Sequence, residues 1–325
     1  RFNGIPLSLD SVTFVDVLRA AGYSTALLGK SHLQNFTDLP VTSDQEAAAQ
    51  ARPAGMEEAM RCSVDGPAYE MEREPNAGRV GRGGLQTPFY GFDHVKLCTR
   101  HGDQVRGDYT DWLEERHPGS DGLRGRENAT SDDRYSAPQA RRTGIPQELY
   151  SSAYVAEQTE AFLEQHATNG GDAPFFIQCS FPDPHHPYTP PGEFWDMYDP
   201  AAVVLPASFE QKHLPPTVAH VHEQTRLGNT AANPRMPFAV SKRHAQEITA
   251  LTYGMVSNVD RAVGQVLAKL EALGLADNTV VIFTSDHGDF MGDRGIMLKG
   301  PLHYQGVAKV PFIWHEPALH NPGRV

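Results

Sequence analysis

With 325 residues the chain is long enough for one large α/β domain or two smaller ones around a true core. Its 39% apolar and 21% charged residues are globular values, and a formal charge of -12 argues against nucleic acid or an anionic membrane surface as the main partner. That charge leaves room for an anionic substrate held by a local cluster of cations. Three cysteines, Cys62, Cys98 and Cys179, lie far apart and in no CxxC pattern, which excludes a disulfide-rich scaffold and a zinc ribbon. No run of about 18 apolar residues is present to span a membrane. Arg1 is not an initiator methionine, so upstream sequence is expected to be missing, and the low cysteine count suits cytoplasm and periplasm alike.

In chain order, Asp10 is expected to cap a helix carrying Val12, Phe14, Val15 and Leu18, with Gly22 just past its end. Tyr23-Ser-Thr-Ala-Leu-Leu28 then reads as a strand ending in Gly29-Lys30-Ser31-His32. Taken alone, Lys30 and His32 read first as a solvated lysine and a surface histidine. From Gln34 to Pro146 apolar periodicity fades, and apart from a short element near Tyr109 to Glu115 the segment reads as long loops over a core formed elsewhere.

Order returns at Glu148, with Tyr154, Val155, Phe162 and Leu163 on a helix expected to stop at Gly170-Gly171. Pro174-Phe-Phe-Ile-Gln-Cys179 follows as a buried strand running into Phe181-Pro-Asp-Pro-His-His-Pro-Tyr188, where four prolines from Pro182 to Pro190 stiffen a loop holding His185 and His186. These are either a placed proton donor or two exposed imidazoles. The stretch from Trp195 to Met236 is irregular, and His213, His220 and His222 in it read as surface residues. A long helix is expected from about Ser241 to Leu273, its stripe made by Ile248, Leu251, Met255, Val259, Val263, Val266, Leu267 and Leu270.

After Gly274 comes Thr279-Val-Val-Ile-Phe-Thr-Ser-Asp-His-Gly288, read as a buried parallel strand whose carboxyl end opens into a site. Asp286 and His287 there either hold a metal or merely cap and pack, and Gly288 lets the backbone turn closely. A loop with Asp289, Asp293, Arg294, Lys299 and His303 leads to a short strand, Val310-Pro-Phe-Ile-Trp314. Three helix-then-strand units thus end in polar clusters: Lys30 with His32, His185 with His186, and Asp286 with His287. If the strands lie parallel in one sheet, all three face one rim, where cations and a metal would hold a sulfate or phosphate ester.

Gly22-Tyr-Ser-Thr-Ala-Leu-Leu-Gly-Lys-Ser-His-Leu33, Pro184-His-His-Pro187, Thr284-Ser-Asp-His-Gly288 and Lys299-Gly300, in this order, resemble the sulfatases of the alkaline phosphatase superfamily. The resemblance implies an α/β fold with a large mixed, mostly parallel central sheet flanked by helices, and hydrolysis of a sulfate ester by a formylglycine made from Cys or Ser. It implies Asp286 and His287 as ligands of one divalent metal, usually Ca2+, though an imidazole also suits Mn2+, Fe2+ or Zn2+. By the same resemblance Lys30 and His32 contact the ester and the formylglycine, His185 assists the leaving oxygen, and Lys299 binds the non-bridging oxygens. The substrate implied is a small-molecule or saccharide sulfate ester.

Three departures stand out. Ser31 occupies a position where the family usually has Trp, and His287 one where many members have Asn. The family's amino-terminal strand with paired aspartates, and its Cys/Ser-x-Pro-x-Arg, are absent; none of the three cysteines starts such a motif, and Ser136-Ala-Pro-Gln-Ala140 lacks the arginine. The expectation is a sulfatase-type catalytic domain over 1–325, truncated at both ends, with loop-rich insertions at about 34–146 and 187–240, inactive on its own for want of nucleophile and half the metal ligands. A phosphonate monoester hydrolase or phosphodiesterase of the same superfamily is the nearest alternative, and a non-catalytic binding remnant the second.

Overall fold

The computed structural model describes residues 6–34, 67–73, 85–169, 173–229, 236–300 and 302–318. They fall into two compact units, one within Arg1–Ala129, Thr143–Pro187 and Asn258–Lys269, the other within Thr130–Arg142, Tyr188–Ser257 and Leu270–Val325.

The first unit is built on β1 (Ser24–Lys30), whose Thr25 to Gly29 are fully buried. Strands β2 (His94–Thr99) and β4 (Phe175–Ser180) pair with it in parallel on either side, and β3 (Arg106–Gly107) adds antiparallel to β2, giving the order β3-β2-β1-β4. This is the mixed, mostly parallel sheet the sequence implied. Its central strand came where expected, but β2 lies inside the segment read as loops. His94-Val-Lys-Leu-Cys-Thr99 buries Val95, Leu97, Cys98 and Thr99, yet His94 and Lys96 interrupt it, so its apolar content is too thin to register in a charged neighbourhood.

Helices cover this sheet. The helix Phe14–Ala20 is capped by Thr13 and not by Asp10: the Thr13 hydroxyl accepts from the Asp16 amide while the Asp16 carboxylate accepts from the Thr13 amide at 2.7 Å. The reciprocal box needs an acceptor side chain three residues on, which Thr13 finds in Asp16 and Asp10 does not find in Thr13. The helix Ser151–Thr168 buries Tyr154, Val155, Phe162 and Leu163, with Phe162 packed on Ala26 and Leu28 of β1. Its expected stop at Gly170-Gly171 lies outside the described residues. The helix Asp108–Arg116 contributes Tyr109, Trp112 and Leu113 to a cluster with Tyr154, Val155 and Cys98.

In the second unit the part of the helix Lys242–Ala272 up to Ser257 supplies Ile248, Leu251 and Met255 to a core with Trp195, Phe238, Met297 and Leu298. The expected stripe holds along that stretch; farther on, Val259 and Leu270 are buried, Val263 and Val266 half-buried, and Leu267 is exposed. Strand β5 (Phe238–Ala239) pairs with β7 (Ile296–Met297). The strand expected to be buried and parallel, β6 (Val281–Thr284), instead pairs antiparallel with β8 (Phe312–His315), Ile282 opposite Trp314. Ile282 is 48% exposed and Trp314 50%. A continuous apolar run says that both faces of a strand are apolar; it specifies neither the direction of the partner nor what covers the faces. No described helix is long and apolar enough to cross a membrane.

Candidate functional site

Within the first unit the carboxyl ends of three neighbouring parallel strands are level: Lys30 of β1 pairs with Cys98 of β2, and Gly29 with Ser180 of β4. Whatever follows each strand therefore emerges at one edge. Gly29 makes the fit, with φ of 112° and a backbone so near β4 that a Cβ would lie 1.9 Å from the Ser180 carbonyl oxygen. Lys30 is half-buried at this edge and His32 is exposed just beyond it.

The turn bearing Lys30 and His32 is held by a residue the sequence reading did not single out. Glu72, 1% exposed, accepts through Oε1 from the Ser31 hydroxyl at 2.9 Å and from the Leu33 and Gln34 amides at 3.0 Å. Gln34 in turn accepts from the Met71 amide at 2.8 Å and donates to Ala68 O at 3.0 Å, so the short segment around Glu72 and the turn clamp each other. Burial pushes the Glu72 carboxyl up to about 7, against the pull of these donors and of Lys30. Ser31, where a tryptophan was the family expectation, is thus a hydrogen-bonding residue of the clamp.

After β4, His185 Nδ1 lies 2.7 Å from the carbonyl oxygen of His186. A carbonyl only accepts, so Nδ1 carries the proton and Nε2 is the nitrogen through which His185 exchanges protons. The two rings lie 4.1 Å apart between centroids. Asp183, in the same loop, is buried and its carboxyl pushed up to about 8, by burial first and by Asp103 also, against Tyr150 and Lys30.

In the second unit Asp286, His287 and Lys299 come together. His287 Nδ1 is 2.8 Å from Gly288 O, which again fixes the proton on Nδ1. Its Nε2 accepts from the Lys299 ammonium and lies 3.4 Å from Asp286 Oδ2. Lys299 is delivered by a bend pinned on Asp289, whose Oδ1 accepts from Met291 N and Leu298 N, both at 3.0 Å. Gly288 allows the backbone approach the sequence suggested, since a Cβ there would stand 2.0 Å from Gly306 O. A carboxylate oxygen and an imidazole this close, the tautomer already fixed, suit one divalent ion once Lys299 gives up the Nε2 lone pair. No group of three or more such donors occurs among the described residues.

The two described cysteines fit no nucleophilic role. Cys98 is fully buried with its thiol pushed well up, and Cys179, beneath the Thr159 hydroxyl, is pushed up to about 11. Cys62 lies outside the described residues. Of the six residues singled out from sequence, Lys30, His32 and His185 belong to the first unit, Asp286, His287 and Lys299 to the second.

Residues 84–322 match the family model described as Sulfatase. An arylsulfatase of Clostridium perfringens is 29% identical over 178 residues, covering 55% of this chain and 34% of the relative. A multifunctional alkaline phosphatase superfamily protein of Trinickia caryophylli is 24% identical over 305 residues, covering 91% of this chain and 51% of the relative. Among solved structures, a phosphonate monoester hydrolase of Silicibacter pomeroyi superposes with a TM-score of 0.63 at 22% identity, over 98% of this chain and 55% of that one. The chain therefore spans about a third to a half of the curated relatives it matches.

Proposed function

Because the chain belongs to the sulfatase family, we propose that it is part of a sulfuric ester hydrolase. Water is added across the ester S–O bond: the sulfur gains an oxygen, the bond to the organic oxygen breaks, and that oxygen takes a proton to leave as an alcohol. Lys30, His32 and Lys299 supply positive charge and hydrogen-bond donors to the sulfuryl oxygens as charge moves onto the leaving group. His185 gives the proton through Nε2, which its Nδ1 contact with the His186 carbonyl reserves for that purpose. Asp286 and His287 hold a divalent metal, most simply Ca2+, with Mn2+, Fe2+ or Zn2+ compatible with the imidazole; when bound it withdraws charge from the transferred group. A formylglycine made from Cys or Ser supplies the nucleophile in the full-length protein. These 325 residues hold no Cys/Ser-x-Pro-x-Arg and are inactive by themselves.

The observation that carries this reading is the second-unit cluster, where a carboxylate, an imidazole of fixed tautomer and an ammonium converge in the order the family's motifs require. It is tested by elemental analysis of the full-length protein with Asp286→Asn and His287→Ala. The expected result is one divalent ion per chain, lost in both variants together with 4-nitrophenyl sulfate turnover; full metal content in both variants overturns the assignment. A phosphonate monoester or phosphodiester substrate is the second reading, supported by the superposition on a phosphonate monoester hydrolase.

A further inference from the structure

A third strand end carries chemistry that the reading above leaves unused. β2 runs level with β1 and β4 and hands over to Thr99-Arg100-His101-Gly102-Asp103 at the edge from which Lys30 emerges. The chain bends sharply there: Arg100 has φ of 62° and Gly102 φ of 57°, both in the left-handed region, on either side of His101. That conformation is costly for a long side chain such as arginine and persists only where its surroundings enforce it. Asp103, fully buried, anchors the bend by accepting from Gly125 N at 3.1 Å. The bend lays the His101 ring flat on the ring of His185, with centroids 3.5 Å apart and planes 13° from parallel, and leaves it 6.5 Å from His186.

We infer that His101 is a positioning residue for His185. With Nδ1 of His185 tied to a carbonyl on one edge and His101 covering one face, the ring can neither flip nor tilt, and Nε2 stays on the path of the leaving oxygen. Removing the wall frees the ring to rock about its Nδ1 contact. Misplacement of a proton donor by a fraction of an ångström is felt most where the proton is most needed. This inference rests on the reading of His185 as the proton donor.

The test uses the full-length protein and two sulfate monoesters, 4-nitrophenyl sulfate, whose leaving group departs readily as an anion, and phenyl sulfate, whose leaving group needs the proton more. The ratio of their kcat values is independent of the fraction of enzyme that is folded. His185→Ala is expected to raise this ratio about 100-fold, and His101→Ala about 10-fold. The His101→Ala/His185→Ala double variant should be no worse than His185→Ala, because nothing is left to position. His101→Phe, which keeps a flat ring against His185, should hold the ratio near wild type. A raised ratio in His185→Ala with a wild-type ratio in His101→Ala, or effects that multiply in the double variant, overturns the role of His101 alone. An unchanged ratio in His185→Ala overturns the proton-donor reading and this one with it.

Discussion

Replacing Glu72 with glutamine isolates the clamp on the Lys30 turn. The carboxyl is 1% exposed and its native pKa is raised from 4.5 to about 7, burial outweighing the Ser31, Gln34 and Leu33 donors and the Lys30 charge. The sign follows from where each state holds the proton. Below 4.5 both folded and unfolded chains are protonated and the native state bears no penalty. Between 4.5 and about 7 the unfolded chain releases the proton while the folded chain keeps it, so stability falls as pH rises. Above that window both are ionised and the loss is complete, about 3 kcal/mol for a shift of this size. Glutamine does not titrate and keeps a carbonyl oxygen for the three donors. The stability of Glu72→Gln minus that of wild type should therefore rise by about 3 kcal/mol across the window. Urea unfolding followed by tryptophan fluorescence, in buffers from about pH 4.5 to about pH 7.5, reads this difference directly. A difference that is flat with pH, or that falls, refutes the placement of an ionisable carboxyl in this clamp.

Ser31→Ala removes the 2.9 Å bond to Glu72. It should cost about 1 kcal/mol near neutral pH and move the Glu72 transition in the same titration to higher pH, since a donor that favours the ionised form is gone; an unmoved transition contradicts the bond. Gly29→Ala places a methyl group 1.9 Å from the Ser180 carbonyl oxygen, so the β1 to β4 pairing must yield. A loss of more than about 2 kcal/mol in unfolding free energy is expected, and an unchanged melting temperature contradicts the register. Lys30→Ala should lower kcat/KM for a sulfate ester by about 100-fold while leaving metal content at the wild-type value; loss of the metal in this variant would give Lys30 a different role.

The legible parts of the molecule were those in which a strand of strong apolar content runs into an unusual polar group. β1 with Lys30 and β4 with His185 announced themselves in this way, and Asp286-His287-Gly288 did so even though the partner of β6 was misread. The rule that flagged them also applies to β2 and His101, but Val95 and Leu97 alternate with His94 and Lys96, and so short a half-polar run does not stand out among charged residues. Glu72 gave no local signal at all. Met71-Glu72-Arg73 reads as solvated chain, and the burial of its carboxylate arises only because the turn after β1 folds back onto it. Ser31 looked like a departure from a family pattern until its partner was visible. The antiparallel pairing of β6 with β8 was equally out of reach, because the direction of a partner strand is decided by topology and leaves no trace in periodicity.

The claim at the centre of this account is that the ester cleaved is a sulfate. It is tested most directly by kcat/KM of the full-length, metal-replete protein on three substrates sharing the 4-nitrophenol leaving group: the sulfate monoester, a phosphonate monoester and a phosphodiester. Sulfate should lead each of the other two by at least about 10-fold, a difference of about 1.4 kcal/mol in transition-state binding. A lead for the phosphonate or the phosphodiester would contradict it.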